Sequence, residues 1–473
     1  MSSHLNNALT YFHDKISESI KSNKSISIIT HHDCDGLTSG SIITKALTRA
    51  GAKCTVRSVK ELSKNIIEKM KKDRRDFHII TDLGGGFAKD LDELLEDRWI
   101  VIDHHQILQE EFDNERVLNA WKYDIDGGTE ISAGGMAYTV SQALHEKNTD
   151  LAWIAVVSAL GDRQDQGEKK ALCGINSEIA KTAKKIGQLE IDLDLLLVGR
   201  ETRPLPDALA FTSHPFIEGL TWNRDACLSL LNSSGISLKD GGRWRVPSEL
   251  GEDEKRTLLE TIAKYTTGKN ATDIMNELIG YTYTLTREDP RSFLRDAREF
   301  STMLNSCGRI HKGGVGISIC MGDRSKMLEE GEIILVEYRK LLRNYMNVLA
   351  SERWRIMSKE KYVMVNGEGV IPETMTGTVS SLLAGSPKNA GKLIILRTTG
   401  DEGDIKFSSR KSTGCKSNVN LGELMRKGAA KVSGAGGGHD AAAGAKITKD
   451  KLDEFLDYLE ENVSSSQSPS SSK

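Results

Sequence analysis

Three short apolar runs, each closed by acidic or imidazole side chains, constrain this chain more than any other feature. Residues 26–36 read Ile-Ser-Ile-Ile-Thr-His-His-Asp-Cys-Asp-Gly, a β-branched strand that breaks into His31, His32, Asp33 and Asp35. Residues 77–82 (Phe-His-Ile-Ile-Thr-Asp) end on Asp82 and are followed by Gly84, Gly85 and Gly86. Residues 99–103 (Trp-Ile-Val-Ile-Asp) end on Asp103 and run straight into His104 and His105. Helical patterns at 37–50, 64–72 and 87–95 separate the runs, and a strand–helix alternation of this kind predicts a parallel sheet. In such a sheet ligands bind beyond the carboxyl ends of the strands, which is where all three clusters fall.

Carboxylates gathered this closely repel one another, and a divalent cation is the usual remedy. The alternative for Asp33 and Asp35 is an acidic loop that caps the helix beginning near Leu37. Three clusters at one sheet edge favour the metal centre. A fourth acid, Asp162, follows the all-apolar stretch 151–160, which predicts a buried helix delivering Gly161 and Asp162 to the site. Asp162 follows no strand, so a helix-capping role competes most strongly there, and Asp165 is easily confused with it. Mixed carboxylate and imidazole ligands suit Mn²⁺ better than Mg²⁺. The glycines at 84–86 can bring backbone N–H groups to a phosphate or simply form a tight turn, and the two readings are not exclusive.

The 473 residues suffice for two or three domains. A net charge of −3 provides no global field for nucleic acid, so such binding needs local patches. The seven cysteines include no Cys-x-x-Cys pair, which argues against a disulfide frame or zinc knuckle and for a reducing cytoplasm. No signal peptide and no membrane-length apolar run is visible. Residues 4–22 predict an amphipathic helix covering the sheet, with Leu5, Leu9, Phe12 and Ile16 on one face. From about 199 the pattern shortens, and 201–322 reads as a mainly helical insertion, with helices at 249–264 and 271–279. Its last part carries Gly308, Gly313, Gly314 and Gly316 with Arg309, His311 and Lys312, either a phosphate-binding backbone or a tight connection. Residues 323–354 predict a long connecting helix, 355–463 a smaller α/β domain, and 464–473 a disordered Ser-rich tail. The catalytic domain then spans 1–200.

The set Asp33-x-Asp35, Asp82, Asp103-His104-His105 and Asp162 resembles the DHH phosphoesterase superfamily, and Gly436-Gly437-Gly438-His439 resembles the motif of its associated C-terminal (DHHA1-type) domain. The match covers nearly the whole chain and is most similar to the archaeal RecJ-like nucleases, including the GINS-associated nuclease. The resemblance implies two ions, with His31, Asp33 and Asp82 on one and Asp35, Asp82, His104 and Asp162 on the other. It implies that His105 faces the substrate phosphate and that Asp103 orients a histidine. In the second domain it implies that Arg410, after Ser408 and Ser409, and Gly436, Gly437, Gly438 and His439 hold substrate phosphates, the glycines as a nest of N–H donors. The expected activity is Mn²⁺-dependent exonucleolytic hydrolysis of single-stranded DNA or RNA in replication or repair, with Mg²⁺ as the second candidate ion. Hydrolysis of oligoribonucleotides or cyclic dinucleotides is the alternative reaction. A replication-fork accessory binding GINS and the replicative helicase is the alternative role. His32 is left unassigned, as a solvated neighbour of the motif.

Overall fold

The computed structural model describes residues 3–107, 113–266 and 271–464. The expected disordered tail lies, from residue 465, outside them. The chain divides into two compact units, Met1–Leu335 and Val336–Lys473.

The first unit begins with helix α1 (Ser3–Lys21), followed by β1 (Ser25–His31), α2 (Cys34–Arg49), β2 (Lys53–Val59), α3 (Lys64–Lys72), β3 (Phe77–Thr81), α4 (Ala88–Leu95), β4 (Trp99–Asp103) and β5 (Val117–Asn119). The five strands form one parallel sheet in the order β2-β1-β3-β4-β5. Ile26, Ile28 and Ile29 of β1 are fully buried although they point to opposite faces, so both faces must be covered. On one face α1, α2, α5 (Ala133–Leu144) and α6 (Ala152–Gly161) supply the main core, with Leu5, Leu9, Phe12 and Ile16 of α1 within it. On the other, Ile67 and Met70 of α3 and Leu91 and Leu95 of α4 pack on Ile29, Ile80 and Val101. The strand order reverses between β1 and β3, which makes their carboxyl ends the crevice where a doubly wound sheet binds ligands.

After α7 (Gly174–Lys185), strands β6 (Leu189–Leu195) and β9 (Ile279–Leu285) pair antiparallel and frame a lobe with its own core. The lobe holds α8 (Leu205–Phe211), α9 (Arg224–Ser233), the β7 (Lys239–Asp240) and β8 (Arg243–Trp244) hairpin, α10 (Glu252–Tyr265) and α11 (Ala271–Leu278). Its core ends at Leu278. Helices α12 (Ala297–Arg309) and α13 (Gly313–Met321), expected within the insertion, instead bury Phe300, Met303, Leu304, Val315 and Ile319 in the main core. Their glycines serve close helix packing: a Cβ on Gly316 would press on Leu37, and one on Gly308 would overlap the carbonyl of His32. The glycine-rich stretch is therefore helical surface laid against the 31–36 loop.

Helix α14 (Lys326–Ser351) carries the chain into the second unit. That unit has a six-stranded mixed sheet, β10-β11-β12-β13-β15-β14. Its strands are β10 (Ile356–Ser358), β11 (Tyr362–Asn366), β12 (Leu393–Thr399), β13 (Ile405–Lys411), β14 (Ala435–Gly438) and β15 (Ala442–Ile447). Helix α15 (Thr376–Ala384) and the pair α16 (Leu421–Lys431) and α17 (Leu452–Ser464) complete it, and Phe407 packs on Phe455 at the centre of its core. Among the described residues no helix is long and apolar enough to cross a membrane.

Candidate metal centre

His31 is the last residue of β1, and α2 starts only three residues later. So abrupt a turn needs Gly36, because a Cβ there would overlap the His31 backbone. Asp33 is the N-cap of α2: its Oδ1 accepts from Gly36 N at 3.0 Å and lies 3.1 Å from His31 Nδ1. The capping reading of Asp33 is thus observed, and it leaves the carboxylate beside His31. Asp35 does not cap its own helix. Its carboxylate turns to the N-terminus of α5, where Ala133 N donates to Oδ2 and Gly134 N to Oδ1, each at 2.9 Å, and Ser158 Oγ also donates to Oδ1.

Asp82 follows β3 with φ at 62°, a left-handed conformation uncommon outside glycine, which turns its side chain into the cluster. Its Oδ2 is 3.4 Å from His31 Nδ1, and its Oδ1 is 3.3 Å from His104 Nε2 and 3.9 Å from His105 Nδ1. Both carboxylate oxygens are buried, and neither receives a hydrogen bond of acceptable geometry. An ionised carboxylate without donors in the interior costs several kcal/mol, on the order of the desolvation of one ion, unless a cation meets it.

His104 presents the matching nitrogen. Its Nδ1 is 2.6 Å from the Gly127 carbonyl and donates to it, which leaves Nε2 facing Asp35 Oδ2 (3.2 Å) and Asp82 Oδ1, where it carries a proton in the ion-free protein and becomes a ligand atom once that proton leaves. Asp162 is the C-cap of α6, at the negative end of the helix dipole, with Oδ2 3.9 Å from His104 Nδ1 and hydrogen-bonded by Gln164 Nε2 at 2.8 Å. Asp165 turns away to Arg298 at 2.8 Å. Three groupings could each hold an ion with ligand atoms within 4.8 Å of one another: His31, Asp33 and Asp82; Asp35, His104 and Asp162; Asp82, His104 and His105. The orphaned oxygens of Asp82 and the mixed oxygen and nitrogen donors fit a pair of divalent cations sharing Asp82.

Electrostatics agree with that reading. Burial, then neighbouring Asp82, pushes Asp35 up to about 7. Burial also raises Asp162, despite His104. Burial works against a charged imidazole at His31 and His104, but the surrounding carboxylates outweigh it and hold both well above the ordinary histidine value. Asp33 is resisted by burial yet held well below the carboxylate range by His31.

His105 stands apart, with its side chain half exposed. Asp103 Oδ1 accepts from its Nδ1 at 2.9 Å, so Asp103 does orient a histidine. Burial opposes charge on His105, but Asp103 prevails and lifts it to about 9. The other oxygen of Asp103 accepts from Gly85 N at 3.0 Å. That N–H is therefore committed, and the 84–86 glycines form a tight turn in which Gly84 takes φ 100°.

Four contributors escaped sequence reasoning: Ser158, Gln164, Asn305, whose Oδ1 accepts from Cys34 N at 3.0 Å, and the Gly127 carbonyl. Each lies outside a motif and reaches the site only through packing. His32 is not a solvated neighbour. Both of its ring nitrogens are buried without a hydrogen bond, and burial together with His31 lowers it to about 3.

In the second unit, Arg410 on β13 donates to the Ser409 carbonyl (2.7 Å), Ser408 Oγ (3.3 Å) and Ser381 Oγ (3.2 Å). Gly436, Gly437 and Gly438 are not a loop nest but the edge strand β14, paired with β15. Packing requires two of the three glycines: a Cβ on Gly436 would strike the Met425 carbonyl of α16, and Gly438 takes φ 135° and lies against Ala442 and Ala443 of β15. His439 follows in a turn closed by its N–H on the Ala442 carbonyl at 2.8 Å.

Comparison with known proteins agrees with this geometry. The description "DHH family, N-terminal domain" matches residues 25–161, "DHH-CID domain" 197–279 and "DHHA1 domain" 360–465. An uncharacterised protein of Methanocaldococcus jannaschii, MJ0831, is 32% identical over 451 residues, covering 93% of each chain. RecJ of Thermus thermophilus, solved in complex with Mn²⁺, superposes with a TM-score of 0.59 at 16% identity, over 97% of this chain and 55% of RecJ, so the chain spans about half that protein's length. An exonuclease RecJ bound to manganese gives 0.57 at 16% identity, over 97% and 94% of the two chains. CDC45 from Entamoeba histolytica gives 0.63 at 13% identity, over 97% and 99%. At these identities the structural likenesses speak to the fold.

Proposed function

Because this chain belongs to the DHH phosphoesterase superfamily and has a RecJ-like fold, we propose that it is a Mn²⁺-dependent exonuclease acting on single strands of DNA or RNA. The observation that carries the proposal is the buried carboxylate of Asp82, without a well-formed hydrogen bond to either oxygen and flanked by His31 and His104. In this reading His31, Asp33 and Asp82 hold one ion, and Asp35, Asp82, His104 and Asp162 hold the other. Manganese suits that nitrogen-containing set, with Mg²⁺ the poorer match. A pair of such ions supplies a nucleophile at neutral pH and neutralises the phosphoryl oxygens.

The protein's own groups do the rest. The Gly127 carbonyl locks the tautomer of His104, and the α5 N-terminus locks the carboxylate of Asp35, so the ligands are set before substrate arrives. His105, charged at neutral pH and aimed by Asp103, donates a proton or hydrogen bond from Nε2 to a phosphate oxygen as charge develops. Arg410 and the Gly436–Gly437–Gly438–His439 segment would contribute substrate contacts from the second unit. The serine hydroxyls beside Arg410 hold its guanidinium in place for that role.

The test is digestion of 5′- and 3′-labelled DNA and RNA strands with Mn²⁺ or Mg²⁺, by wild type and Asp82→Ala. Stepwise shortening by wild type alone supports the reading, and equal activity in the two proteins refutes it. A chain-length series separates this activity from oligoribonuclease or cyclic-dinucleotide hydrolysis, which would show a sharp preference for dinucleotides. GINS and the replicative helicase are the proposed partners, tested by co-purification at low salt.

A further inference from the structure

A second site lies at the far end of the two helices that frame the metal centre. Asp33 and Asp35 stand at the start of α2, and Lys45 stands ten residues on, about 15 Å along the axis. Asp162 ends α6, and Trp153 stands near its start, about 14 Å away. Lys45 and Trp153 line a cavity of about 190 Å³ with Gln188, Leu285, Arg287 and the Arg324–Glu288 pair.

Its charges do not balance. Asp150, which also lines it, is held by both guanidinium nitrogens of Arg49 at 2.6 Å. Glu288 is held by Arg324 Nη2 at 2.6 Å and Nε at 2.9 Å. Both acids are thus committed, while two cations are not. Lys45 is partly buried and makes one hydrogen bond, to the Met321 carbonyl at 3.3 Å. Burial first and then the nearby Arg49 lower its pKa, with Asp150 pulling the other way. Arg287 is exposed at the mouth and meets no acid among the described residues. Gln188 closes one side of the cavity: it is 3% exposed, and its Nε2 donates to the Asp150 carbonyl at 2.8 Å. Trp153 contributes a flat ring, stacked on Phe300 with centroids 5.9 Å apart.

A ligand that satisfies both features, the cations and the flat ring, is an anion joined to a ring that stacks. We propose that this cavity binds a nucleoside monophosphate, its phosphate on Lys45 and Arg287 and its base against Trp153. A cavity somewhat larger than one that admits benzene takes the base, and the phosphate sits at the solvent-facing mouth. This inference does not depend on what the metal centre hydrolyses.

The full-length protein, stripped of metal with EDTA, is titrated calorimetrically with AMP, adenosine and inorganic phosphate. One AMP binds per chain at sub-millimolar to millimolar concentration. Arg287→Glu and Lys45→Gln each weaken AMP roughly tenfold or more, about 1.4 kcal/mol. Arg410→Ala leaves it unchanged. An Arg410→Ala protein that loses AMP binding while Arg287→Glu keeps it assigns the heat to the catalytic site and overturns the proposal. Phosphate binding as tightly as AMP overturns the contact with Trp153, adenosine binding as tightly overturns the ionic contacts, and no heat at millimolar AMP overturns the site.

Discussion

Metal loading of this centre should be steeply pH-dependent, and the structure sets both sign and size. In the ion-free protein His31 and His104 are held well above the ordinary histidine value by their carboxylate neighbours, and Asp35 is raised to about 7. A raised pKa means that the proton is bound at neutral pH. A cation needs the bare nitrogen or oxygen, so each such proton must leave on loading, and affinity falls as pH falls. If both imidazoles stay protonated in the ion-free state from pH 7.5 to 6.5, two protons are displaced and the combined affinity for two ions drops about 100-fold across that unit. Partial protonation of Asp35 adds a factor of about three, for a total near 300-fold or roughly 3.4 kcal/mol. Calorimetric titration with MnCl₂ in buffers of different ionisation enthalpy counts the protons directly, and two to three should appear per fully loaded chain near pH 7. Release below about half a proton, with affinity flat from pH 6.5 to 7.5, would refute the reasoning, because His31 and His104 would then not be charged by their neighbours.

Three further outcomes are expected. Asp103→Asn keeps an oxygen near His105 Nδ1 but removes the negative charge that holds its proton, so kcat should fall by roughly 10²-fold or more and the alkaline limb of the pH–rate profile should move from near 9 toward the ordinary histidine range. Gly308→Ala puts a Cβ on the His32 carbonyl, and this backbone clash should cost about 1–3 kcal/mol in thermal unfolding and weaken Mn²⁺ binding by displacing the 31–36 loop. Glu299→Gln bears on stability: burial, then Asp296, raises Glu299 from 4.5 to about 7, so folding retains a proton there and wild-type stability drops as pH rises through that window. The glutamine variant should therefore gain at most about 3 kcal/mol relative to wild type at pH 8 and little at pH 5, read from unfolding curves at the two pH values.

Much of the catalytic half was legible from the chain alone, because β-branched runs ending in acids leave few folds open. Ile26, Ile28 and Ile29 demand burial on both faces, that demands a parallel sheet wrapped by helices, and such a sheet places His31, Asp82 and Asp103 on one edge. Helices α3 and α14 were equally readable from their spacing. Strand β2 was not, since its alternating Lys53–Val59 pattern is short, charged and half exposed. The fate of 297–321 was also hidden: glycines that read as loop are helix surface, because what they accommodate is the loop carrying His32, more than 270 residues away in the chain. The glycines at 436–438 misled for the same reason, as an edge strand under α16 and a phosphate nest have the same composition. Residue type and order therefore determined which side chains gather at the sheet edge and which layer they occupy. Tertiary structure alone decided which nitrogen of His104 faces the acids, that neither oxygen of Asp82 receives a well-formed hydrogen bond among the described residues, and that Asp35 rests on the end of a helix about a hundred residues away. Those are properties of close packing between distant segments, and local periodicity contains no record of them.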